Sequence, residues 1–218
     1  MPKRGRRNTG CEGFSLIELM VALGVTLVIM VVAGRMLAMS MSVRTRENAR
    51  IEAIGDVQRA LQVMTREIGN AGLGLSNNGI HPTDSNASQL RVRSNLNAFA
   101  GDTDTLDSLP EGSEDVVFAI INNYTGTEPT GQRLITRQDL NVTTNKISQL
   151  ANRVDSLRFD YLKADGTTAA SPTLAARVRI TVGVDLPMVG RAGTPGYQPA
   201  SRVLLTSDVT LRNSLLDK

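Results

Sequence analysis

The chain has 218 residues, enough for one membrane helix and one domain with a real core. Its formal charge of +3 resides in residues 1–13, where Lys3, Arg4, Arg6 and Arg7 stand against Glu12; the remaining chain has 20 basic and 20 acidic groups. A protein neutral beyond that segment lacks the basic footprint of a nucleic-acid binder, and the single cysteine, Cys11, leaves residues 14–218 without thiol chemistry or disulfides.

The apolar run from Phe14 to Gly34 has one charge, Glu18, in 21 residues. At ~1.5 Å per residue it spans about 30 Å, the thickness of a bilayer's hydrocarbon core. It can therefore cross a membrane. An ionised carboxylate there costs at least a few kcal/mol unless it finds a partner. A cut between Gly13 and Phe14 would create that partner, an α-amine with an unperturbed pKa near ~8. The four basic residues before the run hold that end in the cytoplasm and put the rest outside it, although Arg35, Arg44, Arg46 and Arg50 weigh weakly the other way.

Gly13-Phe14-Ser15-Leu16-Ile17-Glu18-Leu19, after a basic leader and before an apolar run, resembles the class III signal of type IV prepilins and type II secretion pseudopilins. The resemblance implies that a prepilin peptidase cuts after Gly13 and methylates Phe14. It also implies that Glu18 pairs with the N-terminal amine of a neighbouring subunit in a filament. An ordinary secretory signal, with small residues at Val31-Val32-Ala33, and an uncleaved anchor are the competing readings. A lipoprotein signal is rejected because nothing apolar precedes Cys11.

Arg35 marks the end of the run and reads as a snorkelling side chain. No proline interrupts the run, so any local melting of the helix falls to Gly24 or Gly34. Met36, Met39 and Met41 read as packing residues. Ile51, Ile54, Val57, Leu61, Met64 and Ile68 then recur every three or four residues, which predicts one helix from about Ser15 to Ile68 with an amphipathic outer half. Gly69, Asn70, Gly72 and Gly74 are expected to end it with left-handed backbone.

The polar stretch from Leu75 to Glu114 reads as surface loop around a strand at Gln89–Arg93. Its acids Asp102, Asp104, Asp107, Glu111 and Glu114, with Asp115, are oxygen donors of the kind calcium takes, but not in the order of a calcium loop. No metal site and no cofactor is therefore assigned. Val116–Ile121 suits a buried strand, with Gln132–Arg137 able to pair with it. Leu157, Phe159 and Tyr161 alternate with polar residues and lead to a hairpin-type turn at Asp165-Gly166, followed by Val178, Ile180, Val182 and Val184 in the same alternation. A last strand follows a Gly- and Pro-rich loop, at about Arg202 to Arg212. The pattern predicts one antiparallel sheet, covered on its apolar face by the outer half of the helix.

This order is similar to the pilin fold, an α+β architecture with a long N-terminal helix on a C-terminal antiparallel sheet. The segments Leu150–Tyr161, Asp165–Thr167, Ala176–Ile180 and Leu211–Asn213 resemble the PilW/PulJ group of minor pilins and pseudopilins. The expected organisation is a leader at 1–13, a transmembrane helix at 14–37, an amphipathic extracytoplasmic half at 38–72 and a β-rich extracytoplasmic domain at 73–218.

The residues supply no catalytic constellation. His81, the only histidine, lies beside Pro82 in a polar loop, and no nucleophile elbow or phosphate-binding glycine loop occurs. The expectation is therefore a structural role without enzymatic activity. By the resemblance it is a minor pilin that initiates filament assembly or forms the tip complex, or else a J-type pseudopilin of type II secretion. Its partners would be the prepilin peptidase, other minor pilins or pseudopilins, the major pilin and the inner membrane, from which it passes into the pilus or pseudopilus. A tip-displayed adhesin or DNA-uptake module is the alternative class, with Arg177, Arg179 and Arg202 on one sheet face as its only basic support.

Overall fold

In the computed structural model the described residues are 13–96, 112–125, 128–144, 146–194 and 196–212. A single helix, α1 (Leu16–Gly69), runs through Gly24 and Gly34 without interruption, close to the predicted span and about 80 Å long at the standard rise. It stops differently from expectation. Asn70 keeps right-handed backbone at φ −91°, and the left-handed turns come at Gly72 and Gly74.

Seven strands follow: β1 (Gln89–Arg93), β2 (Asp115–Thr125), β3 (Glu128–Asp139), β4 (Ile147–Val154), β5 (Ser156–Leu162), β6 (Arg177–Leu186) and β7 (Ser201–Thr210). All neighbouring strands pair antiparallel. The expected single sheet is in fact two, of order β1-β2-β3-β4 and β5-β6-β7. The break falls between Val154 and Ser156, where Arg153 takes φ +56° and the Asp155 N–H leaves the ladder for the Gly183 carbonyl at 2.9 Å. A non-glycine residue with left-handed backbone turns the chain sharply, so β5 starts a new sheet instead of extending β4.

α1 lies across β4, β6 and β7 and joins the sheets into one core. Val57, Met64 and Ile68 from the helix meet Phe118 and Ile135 from the first sheet and Phe159, Val178, Ile180 and Val182 from the second, all essentially without solvent exposure. The helical stripe begins later than its periodicity implied. Ala53 is the first buried position, and Ile51 is 66% exposed because, two residues before Ala53 at about 100° per residue, it points to the other side of the helix.

Two further expectations are corrected. Asp165-Gly166 does form a turn, with Gly166 at φ +86° and Lys163 bonded to Thr167, but the chain then passes through a 3₁₀ turn (Pro172–Leu174) before β6. The stretch after Leu75 is also more than surface loop. Asn78, Ile80 and Ser85 are buried, and Ile80 bridges to Val92 on the open edge of β1. Gly79 is required there: at φ +75°, a Cβ would sit 2.0 Å from the Gly72 nitrogen.

Candidate functional site

The N-terminal end of α1 concentrates the features singled out in the sequence. Gly13 has open space on all sides and Phe14 is 85% exposed. Both precede the helix, so the peptide bond between them is accessible and outside regular structure. Ser15 is the N-cap, in extended backbone at φ −71° and ψ 139°. Glu18, in the first turn, accepts a hydrogen bond at Oε2 from the Ser15 N–H at 3.1 Å. This is the reciprocal half of a capping box, and it places negative charge where the helix dipole is positive. The Ser-x-x-Glu pattern was legible in the sequence as a capping signal, and reading Glu18 only for a neighbour's amine missed it.

From Leu16 to Val32 the large apolar side chains point outward all round the helix, each about half exposed or more. Nothing else among the described residues covers them. Thr26, the hydroxyl within the run, turns back on Ala22's carbonyl at 2.7 Å, so it presents no unmet donor to an apolar surrounding. α1 is the one helix among the described residues long and apolar enough to cross a membrane.

Of the acids named as oxygen donors, Glu114 and Asp115 are otherwise employed. Asp115 pairs with Arg91 at 2.6 Å and Arg93 at 3.2 Å, and Asp84 takes the other end of the Arg91 guanidinium at 2.6 Å. The hydrogen bonds that Arg91 donates to Asp115 and to Asp84 raise its pKa against the effect of its burial, and the bond to Asp84 lowers that of Asp84. Glu114 is buried and accepts the Leu96 N–H at 2.8 Å. Asp102, Asp104, Asp107 and Glu111 lie outside the described residues. His81 is half-buried, with Nδ1 3.2 Å from Asp84 and 3.1 Å from the Thr83 hydroxyl. Among the described residues no group of three His, Cys, Asp or Glu side chains could hold a metal ion.

The arginines of the second sheet do not form a basic surface. Arg177 and Arg179 both bind Asp208, at 3.2 and 2.7 Å. Arg202 faces Asp185 at 3.4 Å, and Arg158 faces Asp160 at 2.7 Å. The Arg179 hydrogen bond holds the Asp208 carboxyl below its ordinary value. A face of alternating charge gives a phosphate backbone no continuous track.

A cleft of about 450 Å³ between α1 and the ends of β4 and β6 is lined by Ala53, Arg133, Arg153, Asp155 and Asp185 among others. Its polar groups are committed to the fold: Asp155 accepts the Asp185 N–H, Arg133 donates to the Asp155 carbonyl, and Arg153 reaches Glu52 at 3.4 Å.

Residues 8–34 match the family described as the Prokaryotic N-terminal methylation motif. Among curated proteins none matches the chain. The motif, the helix that carries it and the antiparallel sheets packed on that helix support a type IV pilin-like or pseudopilin-like protein, with an N-terminal helix suited to anchor it in a membrane.

Proposed function

We propose that the chain is a minor pilin of a type IV pilus that helps to start filament assembly or forms part of the tip complex. The observation that carries this reading is a lone carboxylate in the first turn of a helix whose apolar surface the described residues leave uncovered all round. Such a surface calls first for lipid and then for other helices like itself. In the membrane, Glu18 is held by its own helix N-terminus. Prepilin peptidase removes residues 1–13 at the accessible Gly13–Phe14 bond and methylates the Phe14 amine. In a filament, Glu18 then meets the amine of a neighbouring subunit. A register that leaves the carboxylate unpaired among apolar helices is penalised, so the pair selects register more than it adds stability.

The span at 14–37 crosses the inner membrane once, the amphipathic half at 38–72 carries the β-rich domain at 73–218 on the extracytoplasmic side, and the role is structural, without catalysis. Assignment to the pilus over type II secretion rests on the PilW-like segments, which cover β5, the adjoining turn and the start of β6. The test is the intact mass and N-terminal sequence of the protein from native membranes, where methylated Phe14 is expected. A start after Ala33 or an intact Met1 overturns the reading. Glu18→Ala should leave the protein in the membrane and out of filaments, scored by shearing and immunoblot.

A further inference from the structure

The balanced charge of residues 14–218 is unevenly placed. Residues 35–46 contain Arg35, Arg44 and Arg46 and no carboxylate, and residues 187–200, the loop from β6 to β7, contain Arg191 and no carboxylate. Removing these four leaves 16 basic against 20 acidic groups elsewhere in residues 14–218. The fold brings the two stretches together. Gly196 lies against α1, its Cβ direction 3.1 Å from Ser42 Oγ and 3.5 Å from Met39 Cγ. Arg46 fixes the loop by donating to the Pro199 carbonyl at 2.6 Å and to Ser201 Oγ at 2.9 Å. Val189 and Gln198 close it with two backbone bonds.

A cleft of about 450 Å³ opens between helix and loop, lined by Arg35, Ala38, Met39, Ser42, Gly190 and Gly196. Arg35 is thus beside the loop at Gly190, next to Arg191 in sequence. Neither the Arg35 nor the Arg191 guanidinium forms an ion pair or hydrogen bond among the described residues, and Met188 is 65% exposed on the same loop. Met39 follows Gly34, the end of the apolar run, by five residues, about 7–8 Å along the axis. The headgroup layer of a leaflet is about 5–7 Å deep, so the loop is at the height of lipid phosphates.

We propose that this collar docks on the anionic phospholipid headgroups of the membrane that α1 crosses. Arg35 and Arg191 take the phosphates, the planar guanidinium donating two N–H groups to one phosphate. Met188 enters the interface beside them. Arg44, on the opposite helix face, adds only to the field. The domain therefore rests on the bilayer at a fixed tilt and does not swing on a stalk. The proposal depends on the membrane reading of α1 and not on its assignment to a pilus.

The chain has no tryptophan, so Met188→Trp introduces a single fluorescent reporter. The full-length variant is placed in vesicles of phosphatidylcholine, alone or mixed with phosphatidylglycerol, containing a lipid spin-labelled at the headgroup. Quenching at position 188 is expected to rise with phosphatidylglycerol and to fall with added salt. Arg35→Gln and Arg191→Gln should each reduce the ratio of seated to unseated molecules about fivefold at low salt. Leu174→Trp, at the far end of the domain, should remain unquenched. Quenching that is equal in neutral vesicles, unchanged in the double arginine variant, or as strong at position 174 overturns the proposal. Co-flotation with no quenching at position 188 overturns the collar alone, whereas failure to co-float with vesicles overturns the membrane reading as well.

Discussion

The two halves of α1 share one backbone and differ in what surrounds them. Between Leu16 and Val32 the helix is apolar on every side and is left uncovered by the other described residues; between Ala53 and Gly69 it is apolar on one side, and that side is buried against both sheets. Helical hydrogen bonding alone therefore says little about stability. The outer half is held by its core, while the inner half has no such core among the described residues and, by the proposed function, takes its cover from lipid or from other helices.

Matched truncations separate the halves most sharply. Met64 is fully buried and Met30 is 66% exposed. Met64→Ala should cost about 2–5 kcal/mol in chemical unfolding of the domain, measured on the full chain in detergent. Met30→Ala should leave that transition unmoved, and a comparable loss there would end the distinction.

The next effect lies in the polar support of the first sheet, where β1 meets β2. Asp115, 10% exposed at its side chain, holds both Arg91 and Arg93. Asp115→Asn keeps the shape and removes the charge, leaving the guanidinium of Arg91 short of an anion. A loss of about 2–3 kcal/mol is expected, below that of a fully buried pair because the arginines retain some solvent. The same melt that reads Met64→Ala measures it, and an unchanged midpoint would show that the pair contributes nothing net.

Acid should also act on one half only. Asp84, Asp165 and Asp208 are held below the ordinary value of 3.8, chiefly by hydrogen bonds from Arg91, from the Thr167 hydroxyl and from Arg179. A carboxyl lowered in the folded state stabilises above its unfolded value, and that contribution is lost as pH falls through the folded one. The domain's melting temperature should therefore fall below about pH 4, as followed by circular dichroism. The contributions are small because all three groups are close to solvent. The smallest effect expected is for Ile51→Ala, which fits the apolar spacing but points away from the sheets. It should change stability by no more than about 0.5 kcal/mol, and a larger loss would extend the buried half toward the membrane.

The inner half and the candidate site were legible in the sequence because they depend on local order. Twenty-one residues with one charge define a membrane-length helix, and Gly13, Phe14, Ser15 and Glu18 carry their meaning by spacing alone. Strand β1 was also local, an alternating segment among turn formers whose observed bounds are those predicted. Strand β4 was not foreseen, since Ile147-Ser148-Gln149 is exposed and alternates weakly, and it is a strand because β3 offers a partner.

The sequence by itself determined the long helix, its change from uniform to one-sided apolarity, the alternating strands and the neutrality of residues 14–218. These follow from period, composition and spacing along the chain. Only the tertiary structure decided that the strands divide into two sheets at Arg153, that Glu114 and Asp115 serve the fold, that Arg177, Arg179 and Arg202 are paired with Asp208 and Asp185, and that the β6–β7 loop meets α1 just beyond the apolar run. Each of these joins residues far apart in sequence, and an ion pair or a packed loop is fixed by distance in space, which periodicity along the chain does not encode.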